Sequence, residues 1–476
     1  MSTAAPKPKA PAPVLQEIYV ALNVGLEPVP VGVICFDVAK NFCAFKYLPT
    51  YSGPPLDPIN LNYTIPIEPG RPSSAERIRP SERTFIIDTM ISKGLLHQVF
   101  VDAMPGGWGM KVLEAEYPEL KKMVLVEQLK WMGSRTVGAI SFIQTKFANE
   151  TPVKGIHELR DVRNRCAKFL EELKAIGLED VRNPAVASHG GAMPKASYED
   201  GEGRHWIAKF DRPGDPTQAT ILEYLASSMA RRCKINVPQT DLQSTPEGFP
   251  IFLSERYDRV ARLRTHKISM LTLTGQTDIA RGDYRDMFDI LDKVCDPSEL
   301  GTQKRELMRR MMVNIGLNVT DDHLRNHEMV LDAKTGYWAL SPAYDLIPTP
   351  DAAPHQCSVF GAPRATLDST ANRDLFIKVA NDSGIPASEV IAMADEVRAT
   401  LAKDWPAMVY GSGMTSTAKQ YAIACMEKGC ALKADTVVMA DGLDDVIAAP
   451  VKTEPKAAAP ASPLSEMPGG RPRPGR

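Results

Sequence analysis

A charge of one sign is missing from this chain. Lys and Arg number 56 against 58 Asp and Glu, a net of −2 over 476 residues. A protein that works by lying on a polyanion carries a basic excess, so the balance excludes a simple nucleic-acid or membrane-surface binder. Long apolar runs are missing too: no stretch reaches the ~18 residues of a membrane span. The opening MSTAAPKPKAPAPVLQEIYV lacks the apolar core of a signal peptide. The expectation is a cytoplasmic protein with no membrane attachment. The eight cysteines, at Cys35, Cys43, Cys166, Cys233, Cys295, Cys357, Cys425 and Cys430, include no C-x-x-C pair. That argues against a zinc ribbon or a disulfide framework and for small buried hydrophobes in a reducing compartment.

Proline is in excess: 39 residues, about 8% against an average near 5%. Four lie in residues 1–14 and seven in 450–476, which ends GGRPRPGR. Both segments are expected to be disordered. The tail carries five basic residues against two Glu, so a polyanion or partner contact there stands beside the plainer reading of a solvated end. Eight more prolines fall in 49–80, which argues for loops and edge strands. The expected organisation is an arm (1–14), a β-rich N-terminal subdomain (15–150), a core with a helical C-terminal lobe (151–449) and the tail (450–476).

IYVALNV and VGVICFDV are short branched and aromatic runs bounded by Gly and Pro, and read as strands. From about residue 86 the pattern turns helical, as in VRNRCAKFLEELKAIG. HWIAKF reads as a strand, followed by a helix with Ile221, Leu225, Met229 and Cys233 on one face. INVPQTDLQ and FPIFLSERYDR read as strand, turn, strand. Residues 286–318 read as helical, and most of the remainder to about 447 does as well.

The segment richest in chemistry is Asp321-Asp322-His323-Leu324-Arg325-Asn326. An Asp followed five residues later by an Asn is the spacing of a phosphoryl-transfer loop. One carboxylate accepts the attacking hydroxyl's proton, and an amide oxygen holds a metal beside the phosphates. Nineteen residues after Asn326 stands Asp345, just past the strand YWAL, where a second metal-binding Asp belongs. Upstream, alternation puts Trp206, Ala208 and Phe210 on one face of HWIAKF and Ile207 and Lys209 on the other. Lys209 either meets phosphates or keeps its head in water. Glu223 either pairs with Lys209 or, lying off the apolar stripe, is solvated. Ser188-His189-Gly190-Gly191-Ala192-Met193-Pro194-Lys195 is either an ordinary turn or a loop whose small residues admit phosphate. A rival reading, hydrolysis at a metal held by His323 and His327, lacks the glutamate of H-E-x-x-H. Ser188 with His189 lacks the G-x-S-x-G elbow of a hydrolase.

These pieces together resemble the HipA family, serine/threonine kinase toxins of bacterial type II toxin–antitoxin systems. The matching segments are S-x-x-G-A-x-P-K (Ser188 to Lys195), W-I-A-K-F, E-Y-L-A-S-S-M-A before I-N-V-P, S-E-R-Y-D-R, T-D-D-H-L-R-N and L-S-P-A-Y-D-L, with V-G-A-I-S-F at the end of the N-terminal subdomain. They span roughly residues 17–440. The resemblance implies an α+β, two-lobed protein-kinase-like fold with a small β-rich N-terminal subdomain and a largely helical C-terminal lobe. It implies ATP and Mg²⁺ as cofactors and Asp321 as catalytic base. Lys209 would meet the nucleotide phosphates, and Gly190, Gly191, Ala192, Met193, Pro194 and Lys195 would form the phosphate loop. Glu255, Arg256 and Tyr257 would bind adenine through hinge backbone groups. His323, Leu324, Arg325 and Asn326 would line the nucleotide and metal site, with Asn326 on the metal and Tyr344 beside the metal ligand Asp345. Ser188 resembles the residue these kinases phosphorylate on themselves.

The implied partners are a HipB-like helix-turn-helix antitoxin, through which DNA is met only indirectly, and a protein substrate in translation such as an aminoacyl-tRNA synthetase. The region after the hinge, THKISMLTLTGQTD, departs from the D-F-x-Q of some members, and the proline-rich ends lie outside the family pattern. Two alternatives stay open: a small-molecule phosphotransferase, which shares the Asp…Asn…Asp order, and a kinase-like regulator that binds without turnover.

Overall fold

The structure, a computed structural model, describes residues 15–25, 27–37, 42–48, 84–87, 98–143, 153–154, 193–260, 263–276, 278–279, 282–350 and 354–432. The expected arm and tail, the stretch 49–80, the helix expected at 162–177, Ser188, Gly190, Gly191 and Ala192 lie outside them, as do the expected boundaries at 150 and 449.

Period-two patterning builds the first sheet. In β1 (Leu15–Leu22), Ile18, Val20 and Leu22 are buried while Tyr19 faces out. β2 (Val29–Asp37) buries Ile34 and Phe36 on this period, with buried Val31 out of step at the register shift opposite Val20/Ala21, and β3 (Phe42–Tyr47) buries Phe45 and Tyr47. With β4 (Thr84–Ile87) and β5 (Ile140–Ile143) they form an antiparallel sheet of order β4-β3-β2-β1-β5. Helices α1 (Gln98–Val101), α2 (Gly107–Glu116) and α3 (Leu125–Met132) lie between β4 and β5 in the chain.

A second sheet, of order β6-β7-β8-β10-β9, comprises β6 (Val153–Lys154), β7 (Lys195–Glu199), β8 (His205–Phe210), β9 (Thr240–Ser244) and β10 (Pro250–Glu255). As the alternation requires, Trp206, Ala208 and Phe210 share one buried face with Ile251 and Leu253. The opposite face is turned to α4 (Ala219–Arg232), whose start is tied to the end of β8 by the Asp211 carboxylate accepting from Thr220 N at 2.8 Å.

The chain then leaves this lobe through residues 255–258 and a short hairpin, β11 (Arg259–Val260) and β12 (Leu263–Arg264). β13 (Lys267–Ser269) leads into α5 (Met270–Leu273), and β14 (Gly282–Asp283) leads into α6 (Tyr284–Val294). The expected helical run 286–318 is two helices, α6 and α7 (Leu300–Gly316). Pro297 explains the break, because the residue before a proline is pushed out of helical geometry. β15 (Glu328–Leu331) joins β13 and β16 (Trp338–Leu340) in a three-stranded sheet, and β17 (Cys357–Ser358) pairs in parallel with β14. Helices α8 (Arg373–Ser383), α9 (Ala387–Gly411) and α10 (Ser416–Gly429) complete a largely helical lobe.

Close approach fixes the helical lobe. A Cβ on Gly429 of α10 would collide with the backbone of Ile315 and Gly316 at the end of α7. Trp405 of α9 is fully buried and donates its indole N–H to the Ala422 carbonyl at 2.9 Å. Trp405→Ala is therefore expected to cost about 3–5 kcal/mol, read as a lower denaturant midpoint at unchanged slope.

The N-terminal subdomain is pinned to the rest by polar contacts. The Asp102 carboxylate accepts from Ser269 N (2.9 Å), Ser269 Oγ (2.8 Å) and Thr272 Oγ1 (2.6 Å). Asp258 accepts from Gly138 N at 3.1 Å, and Trp108 Nε1 donates to the Lys195 carbonyl at 3.2 Å. The first residue of β7 is thus held from the N-terminal side.

Candidate active site

The strand β8 and the helix α4 place the first pair. Lys209 Nζ lies 2.6 Å from Glu223 Oε1 and 2.6 Å from Asp345 Oδ1, with Lys209 and Glu223 both buried. Burial opposes the charge on Lys209, but Asp345 and Glu223 override it and hold the ammonium above the ordinary lysine range. Burial likewise works against ionised Asp345, and Lys209, then Lys195, more than compensate, so its carboxyl sits well below the usual range. Asp345 adopts a left-handed backbone, φ 61°, sparsely populated for a residue with a Cβ.

The solvated reading of Glu223 is thereby corrected: it is 1% exposed. Helix α4 is buried on more than its apolar stripe. Thr220, Glu223, Ser227 and Ala230 form a second buried line at i, i+3, i+7 and i+10, the signal that could have found it. Lys195 faces Lys209 directly across the β7–β8 ladder. Its own burial, together with the Lys209 charge, pushes its ammonium below the ordinary value against the pull of Asp345 and Glu223. Two lysines and two carboxylates therefore meet at the lobe junction.

The loop 321–326 follows α7 and is clasped from several sides. Asn326 Nδ2 donates to the Asp321 carbonyl at 3.0 Å, closing the loop on itself. Tyr344 Oη donates to the Arg325 carbonyl at 2.8 Å. The Leu324 side chain is in the core, packed toward Cys357 and Gly282, so it supports the loop from beneath. His323 is fully buried, which pushes its ring down to about 4 and keeps it neutral. His327 spends Nε2 on Asp322 at 2.7 Å, while Tyr284 Oη donates to the other Asp322 oxygen at 2.5 Å. His327 is thus committed to a structural network, against the rival metal reading, while both ring nitrogens of His323 are buried without a hydrogen-bond partner. Among the described residues no three His, Cys, Asp or Glu are grouped to hold a metal.

Asp321 itself accepts from Gln356 Nε2 at 2.7 Å. Burial, then the charge of Asp345, pushes its carboxyl up to about 7, with Gln356 acting in the opposite direction. A carboxylate poised near neutrality suits a proton acceptor.

The residues expected to form the hinge are partly committed. Glu255 N donates to the Gln239 carbonyl and Arg256 N to the His205 carbonyl, each at 2.8 Å. A backbone contact to adenine from this segment must use Tyr257 N–H or a carbonyl. The Arg256 guanidinium grips both oxygens of Asp258 at 2.9 Å. Tyr257 donates to Glu328 and stacks on Tyr344 with ring centres 6.2 Å apart. Of the expected phosphate loop, Met193, Pro194 and Lys195 are described. The Pro194 carbonyl accepts from Phe210 N at 2.9 Å, prolonging the β7–β8 ladder.

As to a metal, the donors on hand are the Asp345 carboxylate and the Asn326 amide oxygen, whose nitrogen is already used. Two hard oxygen donors fit a small divalent ion such as Mg²⁺, which takes its other ligands from water and phosphate.

Comparison with known proteins gives the family of the chain. The description HipA-like C-terminal domain matches residues 187–405, and HipA N-terminal domain matches 22–143. Together they cover more than two thirds of the chain. Among solved structures, the Shewanella oneidensis MR-1 toxin–antitoxin complex of HipA, HipB and operator DNA contains a similar chain. The identity is 15% and the TM-score 0.63, over 87% of this chain and 96% of that one. The Helicobacter pylori proinflammatory kinase CtkA aligns at 14% identity and TM-score 0.38 over 51% of this chain and 90% of that one. Comparison with curated proteins found no match.

Proposed function

Because the chain belongs to the HipA family, we propose that it is an ATP- and Mg²⁺-dependent serine/threonine protein kinase, the toxin of a type II toxin–antitoxin module. The observation that carries this reading is the convergence of Lys209, Glu223, Asp345, Asn326 and Asp321 at one lobe junction from four separate chain segments.

Lys209, oriented by Glu223, holds the nucleotide phosphates. Its present partner Asp345 would be free to hold the metal once phosphate pairs with Lys209, and Lys195 adds a second positive charge. Asn326 and Asp345 would hold Mg²⁺, which would supply charge to offset the phosphates. Asp321 accepts the proton of the attacking hydroxyl, whose oxygen bonds to the γ-phosphorus in line as the bond to the β,γ-bridging oxygen breaks and ADP leaves. Positioning and electrostatic clamping supply most of the rate. Ser188 is the site of self-phosphorylation, where added charge expels the phosphate loop. The partners are a HipB-like antitoxin, which brings the DNA affinity that the net charge of −2 does not supply, and a protein of translation. The subdomain limits 15–150 and 151–449 are part of the same proposal.

Two results test it. Calorimetric titration with ATP should show binding that strengthens with Mg²⁺ in the wild type and loses that dependence in Asp345→Asn. Equal affinity with and without Mg²⁺ would count against the site. Second, the proton acceptor must be ionised, and Asp321 sits near 7, so kcat/KM should rise with pH through about 7 and level above it. In kcat, where the charge of Asp345 is offset by metal, the limb should move to lower pH. A flat profile from pH 5 to 8 would remove Asp321 as the base.

A further inference from the structure

The Asp321 carboxylate is anchored from outside its own loop. Gln356 stands 35 residues downstream, and its Nε2 reaches Asp321 Oδ1 at 2.7 Å. The backbone carrying it is fixed on both sides. Gln356 N donates to the Thr320 carbonyl (3.2 Å) and Cys357 N to the Asp322 carbonyl (2.7 Å), while the His355 ring meets the Val319 carbonyl at 3.0 Å. The segment therefore runs alongside 319–322. Its far end is locked by β17 on β14, by Ser358 Oγ on Asp283 at 2.5 Å, and by buried Cys357. The other charged neighbours of Asp321 are anionic, Asp345 and Asp322. Asp322 is already occupied by Tyr284 and His327.

We propose that Gln356 is a positioning residue for the transfer step: its amide holds one oxygen of Asp321 so that the other faces the acceptor hydroxyl. A carboxylate with one oxygen tied cannot rotate away. A rigid backbone behind the amide makes that placement part of the folded state, not something found during the reaction. This inference rests on the kinase reading above. It gives the segment after Asp345 a role at the proton-accepting group.

The test compares the full-length wild type with Gln356→Met, which keeps the length and removes the donor, and Gln356→Glu, which sets a carboxylate against Asp321. Asp321→Asn serves as the dead reference. Phosphate transfer and ATP affinity are measured on each. The expected result is a kcat lowered by about 10–100-fold in both Gln356 variants. KM for ATP and calorimetric ATP affinity stay within about twofold of wild type. A merely structural contact would move affinity together with kcat, and that outcome overturns the inference. So does wild-type kcat in both variants while Asp321→Asn is inactive, a result that leaves the kinase reading standing. A wild type that transfers nothing overturns both.

Discussion

Asp321→Asn is expected to lower phosphoryl transfer by about 10²–10⁴-fold while leaving ATP affinity unchanged. The substitution is close to isosteric, and the asparagine oxygen still accepts from Gln356, so the loop keeps its shape. What is lost is a group pushed up to about 7 by burial and by Asp345, which is the property that lets it take a proton near neutrality. Steady-state ADP release on a protein acceptor, paired with calorimetric ATP binding, separates the two effects. A variant with undiminished turnover would show that the acceptor's proton leaves by another route.

Lys209→Met is the second large effect, and it acts on stability as well as activity. The wild-type lysine sits 2.6 Å from two carboxylates, one almost wholly buried. Removing it leaves Glu223 and Asp345 as like charges in a low-dielectric interior, with Lys195, itself pushed below the ordinary lysine value, as the remaining cation beside them. Breaking a buried pair in this way costs about 3–5 kcal/mol. The sign with pH follows. In the wild type Asp345 is held below its unfolded value, so its contribution is present above that unfolded value and is lost as pH falls toward the folded one. In the variant the stranded carboxyls favour protons, so their folded values rise and their penalty grows with pH. The stability gap should therefore be wide at pH 7.5 and narrower at pH 5, read by urea denaturation at both. A gap below about 1 kcal/mol at pH 7.5 would mean that the triad is solvated, not buried.

Much of the site was legible because its key spacings are local. Asp321 and Asn326 are five residues apart and close one loop, Asp345 follows a short strand, and alternation in HWIAKF put Lys209 opposite the apolar face, where the structure has it. Glu223 was ambiguous because a single apolar stripe implies a single buried face, whereas α4 is wedged between sheet and helical lobe. Gln356 left no trace: its contact depends on a chain segment running back beside residues 319–322, and QCSVF has no spacing that announces it. The hinge shows a different limit. Sequence order located Glu255 to Tyr257, but which N–H groups are free depends on Gln239 and His205 across the sheet. In the fold, the break in the run 286–318 was written at Pro297, and the hydrophobic period on both sides masked it.

If this junction moves a phosphoryl group from ATP to a protein hydroxyl, the protein itself should carry the mark. The most direct measurement incubates the full-length protein with Mg²⁺ and ATP labelled at the γ-position, beside Asp321→Ala, and locates the label by mass spectrometry. Label is expected on Ser188 in the wild type alone. Label in neither protein, or equal label in both, would contradict it.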